Sequence, residues 1–304
     1  MGKQIHIEKR RLGKTNLHVT ALGLGGAEIG RQHVPEKIVE RLLNDALDAG
    51  LNVIDTAECY RKSEEMIGNT VSHRRKDYYL FTKCGHSAGL NMSDWDVETL
   101  EQSIDRSLRR LKTDYIDVIQ LHGCSRRLLK RGDVIAVLQN ARDAGKVRFI
   151  GYSGDSKDAL YALECGAFHT LQTSLNIADQ ECIDLLLPVA AAKQIGVIVK
   201  RPIANTCWQF AERPNSKYIV PYWERLQQLD YGFLQGDMNA AVSVALRFTL
   251  DSEEVATAIV GTTNPERWAQ NAQHLSLGPL PAEVYEAIRA RWKQVAQPKW
   301  TGQD

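Results

Sequence analysis

The sequence lacks any apolar run that could cross a membrane, which takes about 20 residues. It also lacks an excess of charge, since 38 Lys and Arg residues balance 37 Asp and Glu residues to a net charge of +1. This balance argues against a nucleic-acid groove or an anionic membrane surface as a partner. The amino terminus has no apolar signal region, and the six cysteines form no Cys-x-x-Cys pair. We therefore expect a cytoplasmic protein with reduced thiols.

A repeated unit of helix, glycine and strand makes up most of the chain. Hydrophobic residues account for 43% of the 304 residues, which is enough for one sizeable core. No linker or change of composition suggests a boundary, so we predict a single domain over residues 1–304. Short apolar strands are expected near positions 21, 52, 78, 117, 148, 170, 197 and 257, with a helical pattern between most neighbours. Eight alternating units predict an α/β fold, a parallel sheet closed into a (β/α)8 TIM barrel.

Three segments lie outside the eight units. A β-hairpin is predicted near the amino terminus, with strands at Ile5–Ile7 and Leu17–Val19, and we expect it to cap the barrel. The interval between Val199 and the last strand is too long for one unit, so we interpret it as an insertion plus a helix near residues 239–249. An extra helix is predicted at residues 281–296, where apolar residues recur at helical spacing.

Four polar side chains stand where three consecutive strands should end. Asp55 and Tyr60 follow the strand near position 52, Lys83 follows the strand near 78, and His122 follows the strand near 117. A carboxylate at the end of a buried strand is costly unless it is paired, and Lys83 is the expected partner of Asp55. The carboxyl ends of the strands of a parallel barrel converge on one face, where active sites lie.

These four residue types suit proton donation better than metal binding, and we predict no metal. A Tyr with a pKa of about 10 in water is a poor acid at neutral pH, so we expect the Lys83 ammonium to lower the pKa of Tyr60. Asp55 would keep Lys83 charged, and a neutral His122 would hydrogen-bond the oxygen of a carbonyl substrate. The set would protonate the alkoxide that forms when hydride arrives. The hydride must come from a cofactor, because no side chain supplies one.

The order of these motifs resembles the aldo-keto reductase family of nicotinamide-dependent barrels. The resemblance covers nearly the whole chain, and its motifs stand at strand ends. Each motif alone is weak evidence, whereas their order along the chain is specific. The matching segments are Asn52–Tyr60, Thr82–Lys83, Leu121–His122, Ile150–Ser153, Gln172, Pro202 and Gly261–Asn271.

The resemblance implies a role for each matching residue. Tyr60 is the expected general acid, Asp55 and Lys83 are its tuning pair, and His122 orients the substrate. Small aldehydes or ketones are the expected substrates, with contacts from Tyr60, His122 and Trp208. The resemblance further implies that a nicotinamide cofactor contacts Gly26, Ala27, Asp55, Ser153, Gln172, Lys200, Arg201, Pro202, Ile203, Gly261, Thr262, Thr263, Arg267, Gln270 and Asn271.

Three positions depart from the family pattern. The family often has Asn where this chain has Gly154, so one contact to the nicotinamide carboxamide is missing. Lys200 stands where members commonly carry a Tyr that stacks on the nicotinamide, and either the Lys200 stem or the plane of Arg201 would replace that Tyr. Gly261 stands where many members have a Lys that grips the 2′-phosphate of NADP, while Arg267 is retained for the same phosphate. We expect NADP(H) to be preferred, with NAD(H) also usable.

Two other functions fit parts of the sequence. Lys83 could be a Schiff-base nucleophile, as barrel lysines are in aldolases, although its pairing with Asp55 favours a charged side chain. The chain could also be a cofactor-binding sensing or regulatory subunit with little turnover, since some relatives of this barrel are partners of membrane channels. The intact set of four polar residues argues against an inactive enzyme. The oligomeric state is not predicted.

Cys59, Cys84 and Cys124 each stand within two residues of one of the four polar side chains. The simplest interpretation is apolar packing. A sharper hypothesis gives one of them, near Lys83, a lowered pKa and a sensitivity to electrophiles or oxidants. A zinc site formed by the three cysteines and His122 is an alternative that we do not favour.

Overall fold

Eight parallel strands form a closed barrel in the computed structural model, which describes residues 7–31 and 33–303. The strands of the chain are β1 (Lys9–Arg11), β2 (His18–Thr20), β3 (Leu22–Gly25), β4 (Val53–Asp55), β5 (Tyr79–Cys84), β6 (Ile116–His122), β7 (Val147–Ser153), β8 (Thr170–Ser174), β9 (Gly196–Lys200) and β10 (Val255–Gly261). Strands β3 to β10 follow one another around the barrel, and β10 pairs with β3 to close it. The predicted TIM barrel is confirmed, with all eight strands where the sequence places them.

Helices alternate with the barrel strands and cover their outer face. They are α1 (Ala27–Arg31), α2 (Glu36–Asp48), α3 (Ser63–Val71), α4 (Val97–Leu111), α5 (Arg126–Arg131), α6 (Asp133–Asp143), α7 (Ser156–Glu164), α8 (Glu181–Leu185), α9 (Leu187–Ala192), α10 (Val220–Leu229), α11 (Met238–Leu250), α12 (Arg267–Leu275) and α13 (Ala282–Val295), with short 3-10 helices at Ser72–Asp77, Ala204–Gln209 and Gly232–Gln235. Within the described ranges, no helix has the length and apolar character that crossing a membrane requires.

The apolar pattern of each element follows from its place in the barrel. Strands of a parallel barrel are covered on both faces, so β6 is buried from Ile116 to Leu121 and β10 from Val255 to Val260. A surface helix buries only one stripe, and in α4 the buried apolar residues are Leu100, Ile104 and Leu111. The strand ends are therefore the places where polar side chains reach an open face of the barrel.

The amino-terminal hairpin closes the end of the barrel that is remote from those strand ends. Strands β1 and β2 pair antiparallel, and the N–H of Lys14 in the turn donates to the carbonyl of Gln194, just before β9. The hairpin is confirmed, and among the described residues its first strand is β1. Arg10 fixes β1 in place, because its guanidinium donates to the carbonyls of Leu250 and Val255 over 3.0 and 2.9 Å. Ile5 and most of the predicted first strand lie outside the described residues.

The long interval between β9 and β10 contains α10 and α11, of which α11 is the helix predicted near residues 239–249. The predicted helix at 281–296 is α13. Arg289 in α13 donates to Gln180 Oε1 over 2.8 Å and pairs with Asp184, which fixes this helix against the segment after β8. The insertion brings Tyr218, which precedes α10, to the open face of the barrel.

Candidate active site

A buried ion pair joins the ends of β4 and β5. Lys83 Nζ donates to Asp55 Oδ2 over 2.6 Å and to the carbonyl of Thr56 over 2.8 Å. The Lys83 side chain is only 1% exposed. Burial alone would lower the pKa of Lys83, but the attraction of Asp55 and Tyr60 outweighs burial, and the pKa is raised. Lys83 is therefore an ammonium at neutral pH, as expected.

Amide side chains from two other strands hold the second oxygen of Asp55. Gln172 in β8 donates to Asp55 Oδ1 over 2.8 Å, and Gln120 in β6 donates to the same oxygen over 3.5 Å. Ser153, at the end of β7, donates to Gln172 Oε1 over 3.2 Å. The network links residues of five strands, so the barrel itself sets the position of the ion pair.

Tyr60 lies in the turn that follows β4. Its N–H donates to the carbonyl of Ala57, and its carbonyl accepts from the N–H of Ser63, where α3 begins. Lys83 Nζ lies 5.1 Å from the centre of the Tyr60 ring. Burial raises the pKa of Tyr60 to about 12, because the cost of burying the phenolate exceeds the attraction of Lys83. The expectation of a lowered pKa is therefore wrong, and Tyr60 is a protonated phenol at neutral pH.

His122 ends β6 and packs edge-on against Tyr60, with 5.7 Å between the ring centres. Its Nδ1 lies 3.4 Å from Cys59 Sγ. Burial lowers the pKa of His122 well below its usual value, and the charge of Lys83 acts in the same direction. The imidazole is neutral at neutral pH, as expected. Because Nδ1 contacts Cys59, Nε2 is the ring nitrogen left for a substrate in the cavity.

A cavity of about 540 Å³ opens beside these residues, a size typical of a small-molecule site. Among the predicted site residues, its lining includes Gly26, Ala27, Asp55, Tyr60, His122, Ser153, Gln172, Lys200, Arg201, Pro202, Ile203 and Gly261. The structure thus brings most of the predicted set together. The predicted residues that do not belong to this lining are Lys83, Trp208, Thr262, Thr263, Arg267, Gln270 and Asn271.

The last group of predicted cofactor residues runs from the loop after β10 into the first turns of α12. Gly261 ends β10 at the cavity, and α12 begins at Arg267. Arg267 and Gln270 are exposed, and Asn271 is buried. The unpaired N–H groups at the start of a helix favour an anion, so this segment has the character of a phosphate site next to the cavity.

Lys200 stands where family members commonly carry the stacking Tyr, and Arg201 follows it. The two side chains have different partners. Lys200 Nζ pairs with the buried Asp155 at 2.9 Å. Arg201 has a left-handed backbone with a φ of 58°, and its Nε donates to the hydroxyl of Tyr218 over 3.0 Å. The Arg201 guanidinium carbon lies 4.7 Å from the centre of the Tyr218 ring. An aromatic ring is therefore present at the cavity, but the insertion supplies it.

The other two departures from the family pattern are Gly154 and Gly261. At each position, a neighbouring side chain fills the space that a larger residue would need. A Cβ at Gly154 would lie 2.7 Å from the hydroxyl of Tyr152, which itself donates to the carbonyl of Cys124. A Cβ at Gly261 would overlap the carboxylate of Glu28 in α1. Neither an Asn at position 154 nor a Lys at position 261 would fit without moving that neighbour.

The three cysteines near the site are not activated thiols. Burial raises the pKa of Cys59 and of Cys124 to about 12, and it raises the pKa of Cys84 well above the usual value. The hypothesis of a thiol with a lowered pKa is therefore wrong. Burial outweighs even the attraction of Lys83 for a Cys59 thiolate.

Comparison with known proteins assigns the chain to a family. Residues 21–293 match the model of the aldo/keto reductase family. The chain belongs to this family. An L-galactose dehydrogenase of Arabidopsis thaliana is 29% identical, with 97% of each chain covered. An NADH-specific methylglyoxal reductase of Escherichia coli is 25% identical over 91% of this chain and 96% of its own length. The holo form of an aldo-keto reductase from Bacillus halodurans has a TM-score of 0.82 at 26% identity, covering 97% of this chain and 99% of its own.

Aldo-keto reductases are oxidoreductases that use nicotinamide cofactors and act on small carbonyl compounds. The residues present here fit such a cofactor. The Ser153 hydroxyl and the Gln172 amide at the cavity wall suit a carboxamide, and the glycines Gly25 and Gly26 leave that wall without bulky side chains. The start of α12 beside Gly261 suits a phosphate.

Among the cavity-lining residues of this aldo-keto reductase that sequence reasoning missed are three with titratable side chains, Glu28, His86 and Tyr218. Glu28 and His86 stand within three residues of the ends of β3 and β5. The rule that singled out Asp55, a polar side chain just after a barrel strand, would have found both. Tyr218 carried no such signal, because it belongs to the insertion.

Proposed function

We propose that this aldo-keto reductase reduces aldehydes and ketones to alcohols, with NAD(P)H as the reductant and Tyr60 as the general acid. The observation that carries the proposal is a protonated Tyr60 beside a charged Lys83, with a neutral His122 at the same cavity. Carbonyl reduction needs a proton donor, a cation that stabilises the donor's conjugate base and a hydrogen-bond donor for the substrate oxygen. These side chains meet all three needs.

In the proposed reaction the substrate oxygen lies between Tyr60 and His122. A bound nicotinamide supplies hydride to the carbonyl carbon. Cys59 Sγ contacts His122 Nδ1. We assign the thiol as the donor, which leaves the proton of the neutral imidazole on Nε2 to orient the substrate oxygen. Tyr60 transfers its phenolic proton to that oxygen as negative charge develops there. Lys83 stabilises the phenolate that remains, and Asp55 keeps Lys83 charged.

We assign the two ends of the cofactor to different parts of the open face. The nicotinamide carboxamide is assigned to Ser153 and Gln172. The adenosine end, with its phosphates, is assigned to the start of α12, through Thr262, Thr263, Arg267, Gln270 and Asn271. The rest of the cofactor contacts are assigned to the cavity wall, at Gly26, Ala27, Asp55, Lys200, Arg201, Pro202, Ile203 and Gly261.

Two side chains oppose each other in the choice between NADP(H) and NAD(H). Arg267 supports the preference for NADP(H), because its exposed guanidinium suits the 2′-phosphate. Glu28 acts against that phosphate, since its carboxyl group occupies the space beside Gly261 where a Lys would otherwise reach the cofactor. Burial raises the pKa of Glu28, which weakens this repulsion. We therefore propose NADP(H) as the preferred cofactor, with NAD(H) also used.

Small carbonyl compounds are the proposed substrates, with Tyr60, His122 and Trp208 as contacts. Trp208 lies in the 3-10 helix whose earlier residues Asn205 and Thr206 line the cavity. Its Nε1 donates to Met238 Sδ over 3.2 Å, which holds the indole near the rim. Trp208 would therefore meet the part of a substrate that extends away from the carbonyl group.

The Schiff-base alternative is weakened by the charge of Lys83. A nucleophilic amine must lose its proton, whereas the attraction of Asp55 raises the pKa of Lys83. The sensing-subunit alternative is separated from the reductase by turnover alone, because both functions bind the cofactor.

The test is steady-state oxidation of NADPH and of NADH by the purified chain against a panel of aldehydes, ketones and sugars. We expect carbonyl-dependent oxidation of both cofactors and a higher kcat/KM for NADPH. Tight cofactor binding without turnover on any carbonyl compound would contradict the reductase and support the sensing subunit. Covalent trapping of a carbonyl substrate on Lys83 by borohydride, without cofactor, would support the aldolase-like alternative.

A further inference from the structure

Three side chains of different chemistry converge beside the proposed catalytic residues. Glu58, Cys59 and His122 each offer one ligand atom, and these three atoms lie within 4.8 Å of one another. A carboxylate, a thiolate and an imidazole are the three side-chain ligands that zinc uses in proteins. The cluster differs from the one considered on sequence grounds, because Cys84 and Cys124 are not part of it.

The distance within the cluster matches zinc coordination. Zn²⁺ binds sulfur at about 2.3 Å and imidazole nitrogen at about 2.0–2.1 Å, in a tetrahedral arrangement. At the tetrahedral angle these bonds place the sulfur and the nitrogen roughly 3.5 Å apart. Cys59 Sγ and His122 Nδ1 are 3.4 Å apart. The two atoms could therefore share a zinc ion with little movement.

Glu58 supplies a second, independent sign of a ligand. The residue is 1% exposed, and its Oε2 has no hydrogen-bond partner among the described residues. Its Oε1 accepts from the N–H of His86 over 3.1 Å, which fixes the carboxyl group beside Cys59. A buried oxygen without a partner destabilises the fold, and a bound cation would offset that cost.

We propose that Glu58, Cys59 and His122 form a binding site for Zn²⁺, with a water molecule as the fourth ligand. Binding forms bonds from zinc to Cys59 Sγ, a Glu58 carboxylate oxygen and the lone pair of His122 Nδ1. The thiol proton and the carboxylic proton leave to solvent, and no group is oxidised or reduced. Zinc replaces the Cys59 contact at Nδ1, so the ring keeps its orientation and Nε2 keeps its proton. The binding does not depend on the proposed reductase function.

The binding test uses Co²⁺ as a spectroscopic probe, with Zn²⁺ as its competitor. A cobalt–thiolate bond gives a charge-transfer band in the near ultraviolet, which we expect for the unmodified protein and expect Zn²⁺ to abolish. Cys59→Ser should lose the band and weaken Zn²⁺ binding at least about 100-fold. Cys165→Ser is the matched control, because Cys165 lies at the end of α7 and is not part of the cluster. It should behave like the unmodified protein.

A second variant, Glu58→Gln, completes the test. Glu58→Gln keeps the shape of the side chain and should weaken Zn²⁺ binding about tenfold. Absence of the cobalt band, or equal Zn²⁺ affinity in Cys59→Ser, would overturn the site.

Discussion

The two sides of the barrel mouth differ in how they are built. On the β4–β6 side, Asp55, Lys83 and His122 stand on the strands themselves, and Asp55 and Lys83 are almost completely buried. On the β9–β10 side, Arg201 donates a hydrogen bond to Tyr218 from the insertion, and Gly261 lies against Glu28 from α1. The first side depends on strand register alone. The second depends on which distant segments pack over it, so it can differ between relatives that share the first.

The largest effect should come from breaking the ion pair of the β4–β6 side. Asp55→Asn leaves the Lys83 ammonium buried without its counter-charge, which should lower the free energy of unfolding by about 3–5 kcal/mol. Urea unfolding followed by circular dichroism measures this change. Asp45→Asn is the matched control, because Asp45 pairs with Arg41 on the surface with half of its side chain exposed. The control should change stability by less than about 1 kcal/mol. Equal losses of unfolding free energy in the two variants would show that the buried pair stabilises the fold no more than a surface pair does.

A smaller effect is expected at Asp155, the partner of Lys200 on the β9–β10 side. Asp155 also accepts from the Thr173 hydroxyl and the Ser174 N–H, both at 2.7 Å. Burial tends to raise its pKa, but Lys200 and these hydrogen bonds outweigh burial and lower it. The stabilisation is therefore present above the usual pKa of an Asp and is lost as the pH falls below it.

Asp155→Asn should accordingly lower the free energy of unfolding by about 1.5–3 kcal/mol at pH 7. The difference from the unmodified protein should shrink as the pH is lowered below the usual pKa of an Asp side chain. Unfolding curves at several pH values measure both quantities. A difference that is the same at pH 7 and pH 3 would show that Lys200 does not stabilise a charged Asp155.

The smallest effect should come from Glu28, which we propose affects only the choice of cofactor. Glu28→Gln removes the negative charge beside Gly261 and should raise the NADPH-to-NADH affinity ratio about three- to tenfold, or about 0.7–1.4 kcal/mol. Fluorescence titration with each reduced cofactor measures this ratio without any turnover. Glu40→Gln, on the exposed face of α2, is the control and should leave the ratio unchanged. An unchanged ratio in Glu28→Gln would place this carboxylate away from the 2′-phosphate.

The same contrast explains how far the sequence could predict the molecule. The eight strands and the group Asp55, Lys83 and His122 follow from local patterns, because a strand end fixes where a side chain points. The Tyr60 pKa could not be predicted, since it is the balance of burial against the attraction of Lys83 and the effects of neighbouring groups, and burial is known only from the fold. Tyr218 was missed because its position depends on how the insertion folds back.

The central claim is that Tyr60 donates a proton to the substrate oxygen when hydride reaches the carbonyl carbon. A single-turnover measurement tests this claim most directly. Cofactor carrying deuterium at the transferred position is mixed with an aldehyde and with the unmodified protein, Tyr60→Phe or the control Tyr161→Phe, whose ring lies on α7. We expect deuterium on the product carbon in the unmodified protein and in Tyr161→Phe. Tyr60→Phe should bind cofactor equally well but transfer deuterium about 100- to 10,000-fold more slowly. Transfer at an unchanged rate in Tyr60→Phe would contradict the assignment of Tyr60 as the acid.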